Sequence, residues 1–192
     1  MSKLHLCNGT VYLDGYINAD HDGKLAKDLT SAEVDVNRTS LNKYFKYSFE
    51  TDHTKRVKRE FIVDEKFKIL EKWPWKSNSV TEIVFVNALE HFEHKDQVPH
   101  IISEAKRVLK KGGIFKFDFP DILEIALQYH DTDPEFCMAL IYCNHKNPWS
   151  RHEWGYTRKT IVDFFHLKYW DLEFKDVVKH DYPSQGVWAT KK

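Results

Sequence analysis

Apolar and polar positions alternate from the first residues: Leu4 and Leu6, then Val11 and Leu13, are set among His5, Asn8 and Asp14. This period of two predicts a short strand over Leu4–Cys7, running into a turn at Asn8-Gly9, a dipeptide that tolerates positive φ. Tyr16-Ile17-Asn18-Ala19 predicts a second strand, ending at the acidic residues Asp20 and Asp22. Phe61-Ile62-Val63 reads as a third, and Trp73-Pro74-Trp75 with Ser77-Asn78-Ser79 as a turn-rich bridge. Val80 to Val86 has the near-continuous apolar run of a strand buried on both faces. Val98, Ile101, Ile102, Ala105, Val108 and Leu109 then recur at spacings of three and four, predicting a helix that Gly112-Gly113 closes. Ile114 to Phe119 is another strand, stopped at Pro120. Strand, helix and strand in that order form a parallel crossover.

Beyond Pro120, Ile122, Leu123, Ile125, Ala126 and Leu127 predict a helix. Thr157 to Leu167 predicts a further one, capped near Tyr156 or Thr157, with Ile161, Val162, Phe164 and Phe165 inward. Tyr169–Val178 and Gly186–Thr190 read as two closing strands joined through Pro183-Ser184. The pattern is α/β: a mainly parallel sheet, an antiparallel C-terminal hairpin, and helices on both faces.

With 192 residues, the chain is expected to form one domain over 1–192, carrying a charged insertion at about 30–60. Within that insertion Phe45, Tyr47 and Phe49 alternate as in a strand or hairpin, and Lys55-Arg56-Val57-Lys58-Arg59 is the densest basic cluster. The cluster reads as a solvated face, with a phosphate-facing patch as the alternative. Twenty-nine Lys+Arg balance 29 Asp+Glu, so no global charge points to nucleic acid, which is an unlikely partner. The longest apolar run, Phe136 to Cys143, falls far short of the about 20 residues a membrane span needs, and no membrane partner is expected. The N-terminus lacks the apolar stretch of a signal peptide. Three cysteines without a Cys-x-x-Cys pair fit a reducing compartment and disfavour a thiolate zinc site or a disulfide scaffold. The expected location is the cytoplasm.

In an open α/β sheet, ligands bind at the carboxyl ends of the strands. Here those ends are Cys7-Asn8-Gly9, Asp20 and Asn87-Ala88. A glycine turn that admits a ligand to the backbone, followed about a dozen residues later by a carboxylate, suits a nucleoside cofactor. Nicotinamide chemistry fits poorly, because no Gly-x-Gly-x-x-Gly is present.

Leu4-His5-Leu6-Cys7-Asn8-Gly9, followed by Gly15-Tyr16-Ile17-Asn18-Ala19-Asp20, resembles the opening of class I S-adenosylmethionine-dependent methyltransferases, the small methyltransferase-type-11-like group. Trp73-Pro74-Trp75 through Ile83, then Leu89-Glu90-His91-Phe92, resembles that family's fourth-strand region. Glu104-Ala105-Lys106-Arg107-Val108-Leu109-Lys110-Lys111-Gly112-Gly113 resembles its Arg-Val-Leu-Lys-Pro-Gly-Gly segment. Two departures stand out: Cys7 replaces a glycine, and Ile69-Leu70 replaces the Asp-Leu that often precedes Trp-Pro, leaving Asp64 or Glu71 as substitutes.

The resemblance implies a Rossmann-like open sheet, S-adenosylmethionine as cofactor and a small-molecule or other unidentified methyl acceptor. It also implies a cofactor site by position. Cys7, Asn8 and Gly9 would line the methionine and ribose side, and Asp20 would take the ribose hydroxyls with His21 beside the adenine. Ile69 and Leu70 would stand at the adenine position, Asn87 and Ala88 at the methionine portion, and His91 at the mouth. No catalytic residue is assigned. An alternative is a methyltransferase-fold protein with weakened catalysis, acting as a binding or partner module.

His91, His94 and His100 lie close in sequence but read as surface or capping residues, and no metal site is expected. Tyr129-His130, Asp131, Asp133, His152 and Glu153 are late polar positions able to face an acceptor. Trp149, Trp154 and Tyr156 read as core or pocket wall.

Overall fold

The computed structural model describes residues 2–46, 60–143, 145, 150–175 and 182–192. Along the chain, the strands are β1 (Ser2–Leu6), β2 (Tyr12–Leu13), β3 (Ile17–Asp20), β4 (Lys24–Leu25), β5 (Arg38–Thr39), β6 (Ile62–Val63), β7 (Glu65–Lys66), β8 (Val80–Phe85), β9 (Leu109–Pro120), β10 (Trp170–Lys175) and β11 (Ser184–Lys191). The helices are α1 (Ser31–Asp35), α2 (Leu41–Lys46), α3 (Gln97–Val108), α4 (Ile122–Tyr129), α5 (Pro134–Tyr142) and α6 (Arg158–Phe164).

Seven strands form the main sheet in the order β10-β11-β9-β8-β1-β3-β7. β1 pairs in parallel with β3 and β8, β8 with β9, and β3 with β7, whereas β11 runs antiparallel to both β9 and β10. This is the expected sheet with its antiparallel hairpin. The strand order reverses direction at β1/β8, so the ends of β1, β3 and β8 face one crevice.

β8 is central because both its faces are apolar. Ile83 and Phe85 join Leu4, Leu6, Phe115, Phe117 and the inner face of α3, while Val84 and Val86 pack on the other side with Val11, Leu13 and Tyr44. A run of β-branched and aromatic residues without polar alternation is what such a two-sided site requires. Helix starts follow local capping chemistry. Asp121 accepts from the Leu123 and Glu124 amides, Asp133 accepts from Phe136 N ahead of Pro134, and Thr157 forms a capping box with Thr160.

The Trp73–Trp75 bridge is tied to α3 by one clamp. The Glu104 carboxylate accepts from Trp73 N (2.7 Å) and from Arg107 Nε and Nη2 (both 2.7 Å), and Arg107 also donates to the Trp73 and Trp75 carbonyls (both 2.9 Å). The Glu-x-x-Arg of the family-like segment thus serves packing.

Three expectations change. Gly112-Gly113 does not cap the helix: α3 ends at Val108 and Leu109 is already extended. The glycines lie inside β9, where pairing jumps from Val80↔Leu109 to Glu82↔Ile114, five residues on one strand against two on the other. Gly112 takes φ +74, and a Cβ on Gly113 would stand 2.9 Å from Lys110 O, so the bulge needs both to be small. Phe45 falls in a helix, α2, rather than a strand; Tyr47, Phe49 and the Lys55–Arg59 cluster lie outside the described residues. In α4 only Ile125 is buried, with Leu123 and Leu127 exposed, and the apolar stretch after it forms α5. Trp149 and residues 176–178 also lie outside the described residues. Among the described residues, no helix is long and apolar enough to cross a membrane.

Candidate cofactor cleft

The carboxyl ends of β1, β3 and β8 open onto a cleft of about 1010 Å³. Of the ten residues expected at a cofactor site, nine line it: Cys7, Asn8, Gly9, Asp20, His21, Leu70, Asn87, Ala88 and His91. Ile69 does not. It packs against the main core, and its carbonyl accepts from Trp73 Nε1 (2.9 Å), so the turn that exposes Leu70 holds Ile69 inward. Asp64 and Glu71 do not line the cleft either. Asp64 accepts from Tyr12 Oη (2.5 Å) and Asn18 N (2.8 Å), and Glu71 pairs with Lys68 (2.9 Å).

The loop after β1 is bent by two residues in the left-handed region, Cys7 (φ +50) and Gly9 (φ +51). Glycine adopts this conformation freely, whereas for cysteine it is strained. Asp20 spans the loop: Oδ2 accepts from Gly9 N (3.2 Å), and Oδ1 from His21 N and the His21 ring (both 2.7 Å). Asn8 fixes the loop from beneath, donating to Ile62 O (2.9 Å) and Val11 O (3.1 Å). Burial, together with nearby Asp20, pushes the Cys7 thiol well above its usual range and keeps it neutral.

At the end of the adjacent strand β8, Asn87 (φ +48) donates its backbone N–H to Asp118 Oδ1 (2.7 Å). The side-chain oxygens of Asn8 and Asn87 are both buried and lack a hydrogen-bond partner. Buried acceptors are almost always satisfied in folded proteins, so two orphans on residues that line one cleft fit a ligand that donates protons there. The cleft residues therefore suit a polar nucleoside-type cofactor. Phe61, Tyr44, Arg151 and Glu153 are among the other residues of the wall. Their pattern carries no local signal, although Glu153 belongs to the late polar segment expected to face an acceptor.

Glu90 and His152 come together with the lining residue His91, one potential ligand atom of each lying within 4.8 Å of the others. Burial, with Asp118 nearby, pushes the Glu90 carboxyl up to about 8. Burial also lowers His91, and burial with His91 alongside lowers His152 to about 4. The other two histidines of the early group have separate roles. His94 stacks on Trp154 (centroids 3.6 Å apart), and His100 contacts the Glu71 carbonyl (3.1 Å). Tyr156 is core, fully buried, while Trp154 is exposed.

Strand order and the antiparallel C-terminal hairpin define an open α/β fold of the Rossmann-like methyltransferase type. Residues 23–117 match the family model described as a methyltransferase domain. The chain thus contains a segment that matches a methyltransferase domain, within the Rossmann-like fold seen in S-adenosylmethionine-dependent methyltransferases. Solved structures agree at the level of fold. An S-adenosylmethionine-dependent methyltransferase from Methanosarcina mazei superposes with TM-score 0.55 at 13% identity, covering 100% of this chain and 92% of that one. Those from Aquifex aeolicus (TM-score 0.52, 13% identity) and Thermotoga maritima (TM-score 0.51, 12% identity) each cover 100% of this chain and 82% of the other. No curated protein matches the sequence.

Proposed function

We propose that the protein binds S-adenosylmethionine in this cleft and transfers its methyl group to an acceptor entering beside His91. The observation that carries the reading is the constellation at three neighbouring strand ends: the Cys7–Gly9 loop bridged by Asp20, and Asn87 with its orphaned oxygen in the same cleft lining. When bound, the cofactor supplies an electrophilic methyl on a sulfonium that is already a good leaving group.

The chain's own residues then bind and orient. Asp20 is placed to exchange its contacts with His21 for the two ribose hydroxyls, at a carboxylate only 5% exposed. Asn87 Oδ1 accepts from the ammonium of the methionine portion. Phe61 and Leu70 give the adenine an apolar wall, and His21 packs edge-on to Phe61 (centroids 6.2 Å apart). Catalysis in such a site comes mainly from proximity and alignment of the acceptor.

The test is calorimetric titration with S-adenosylmethionine. Wild type should bind one equivalent. Asp20→Ala should weaken binding more than about tenfold, since charged hydrogen bonds contribute roughly 1.5–3 kcal/mol. Equal affinity in the variant, with the fold intact by circular dichroism, overturns the assignment of Asp20. Absence of binding by wild type removes the enzyme reading and favours the binding-module alternative.

A further inference from the structure

We propose that Glu90, His91 and His152 form a site for a divalent transition metal of the zinc class, set in the acceptor wall of the cleft. It deepens the methyltransferase reading, on which only its consequence for the acceptor rests.

The geometry begins with what the rings already do. His91 Nδ1 contacts the Arg151 carbonyl (2.8 Å) and His152 Nδ1 contacts the Ile141 carbonyl (3.1 Å). A carbonyl oxygen accepts only, so each Nδ1 carries the proton and each Nε2 is left with its lone pair. Metal-bound histidines are oriented in this way, by donating the other ring N–H to a backbone carbonyl or carboxylate. His152 Nε2 stands 4.0 Å from Glu90 Oε1, too far for a hydrogen bond, and the His91 and His152 rings meet at 4.9 Å between centroids. Glu90 is 2% exposed and its Oε2 has no hydrogen-bond partner. An orphaned carboxylate oxygen at that depth calls for a cation or a donor.

Three atoms spaced within 4.8 Å share a point about 2.8 Å or less from each, whereas a zinc–nitrogen bond is about 2.1 Å. Contraction by at most about 0.7 Å per ligand closes the site, a movement within the reach of side-chain torsions. Two neutral imidazoles and one carboxylate make up a three-ligand set of the kind that leaves a coordination position open. The backbone brings the pieces together: Glu153 N donates to Glu90 O (2.8 Å), fastening the late loop that carries His152 to the turn that carries Glu90 and His91. Because His91 also lines the cleft, the open position is reached from the acceptor side. The acceptor class that follows is a small molecule whose hydroxyl or thiol can itself ligate the metal.

The experiment uses full-length protein stripped with a chelator, without S-adenosylmethionine, titrated with Zn²⁺ by calorimetry and with Co²⁺ by visible absorption. One equivalent should bind. His152→Ala and the near-isosteric Glu90→Gln should each weaken Zn²⁺ at least about tenfold, since loss of a ligand costs no less than the 10–100-fold typical of its outer-shell partners. Circular dichroism confirms that each variant is folded, and Glu90→Gln decides if His152→Ala is not. No binding by wild type, or equal binding by a folded variant, overturns the site; so does an intense thiolate-to-cobalt band, which would place the metal on cysteine. Acetohydroxamic acid, a small oxygen chelator, should shift the Co²⁺ spectrum, and an unshifted spectrum overturns the open position and the acceptor class. The cofactor titration on metal-free protein succeeds or fails independently, so the two readings fail separately.

Discussion

Cys7 occupies a backbone conformation that suits glycine, and replacing it isolates the energetics of the cofactor loop. At φ +50, a residue with a Cβ pays about 1–2 kcal/mol relative to the right-handed region. Cys7→Gly removes that strain, loses about 0.5–1 kcal/mol through the greater freedom of glycine in the unfolded chain, and gives up the contact of a partly buried thiol, about 1 kcal/mol. The variant should therefore stay within about 1 kcal/mol of wild type. Cys7→Ala keeps the strain and loses the thiol, so it should be less stable than wild type by about 1 kcal/mol. The diagnostic is the order of the two variants. At an ordinary φ, alanine exceeds glycine by about 0.5–1 kcal/mol, whereas here glycine should equal or exceed alanine. Urea denaturation at neutral pH gives the order, and titration with S-adenosylmethionine gives the functional counterpart: removing the side chain from the cleft lining should tighten binding or leave it unchanged. Alanine more stable than glycine by 0.5 kcal/mol or more, on the order expected for a relaxed backbone, refutes the strained loop. Looser binding in the glycine variant makes the thiol an adapted contact rather than an obstruction.

Two further predictions concern the scaffold. Arg107→Ala leaves the buried Glu104 carboxylate with Trp73 N as its remaining partner in the clamp, and should destabilise the fold by about 2–4 kcal/mol in urea unfolding, with Arg107→Met no better; a loss under about 0.5 kcal/mol would show that the bridge is held by packing alone. His5 is fully buried in β1, hydrogen-bonded through Nδ1 to Asn18 Oδ1 (2.9 Å), and burial lowers it from the ordinary 6.5 to about 4. Its folded value is depressed, so the unfolded chain takes up a proton first: the contribution is intact above pH 6.5 and is lost as pH falls toward 4, about 2 kcal/mol by pH 5. Comparing unfolding at pH 7.5 and pH 5, a folded His5→Gln variant should lose about 2 kcal/mol less than wild type, and identical losses would refute the assignment.

Much of the architecture was legible locally, because its signals are one-dimensional. The two-sided apolar run at Val80–Val86, the three-and-four spacing of α3 and the Thr157 cap report burial or hydrogen bonding within a few residues of themselves. The cofactor loop was legible for a related reason, since a parallel strand must end in a turn at the ligand edge, and nine of the ten expected residues meet there. Ile69 went the other way because its neighbour Trp73 donates to its carbonyl and draws it into the core, which no spacing rule encodes. Gly112-Gly113 carried the local signature of a helix end, yet cross-strand register with β8 put the pair to use as a bulge. The meeting of Glu90 and His91 with His152 spans some 60 residues of chain and depends on contacts between a turn after β8 and a late loop, the Glu153 and Trp154 amides on the Glu90 carbonyl and His91 on the Arg151 carbonyl. The sequence by itself determined the main strands β1, β3, β8 and β9, the helix α3 and where the ligand-facing strand ends would fall. Tertiary structure alone decided which distant side chains share a site, because that is set by closure of the chain across the sheet and not by any periodicity along it.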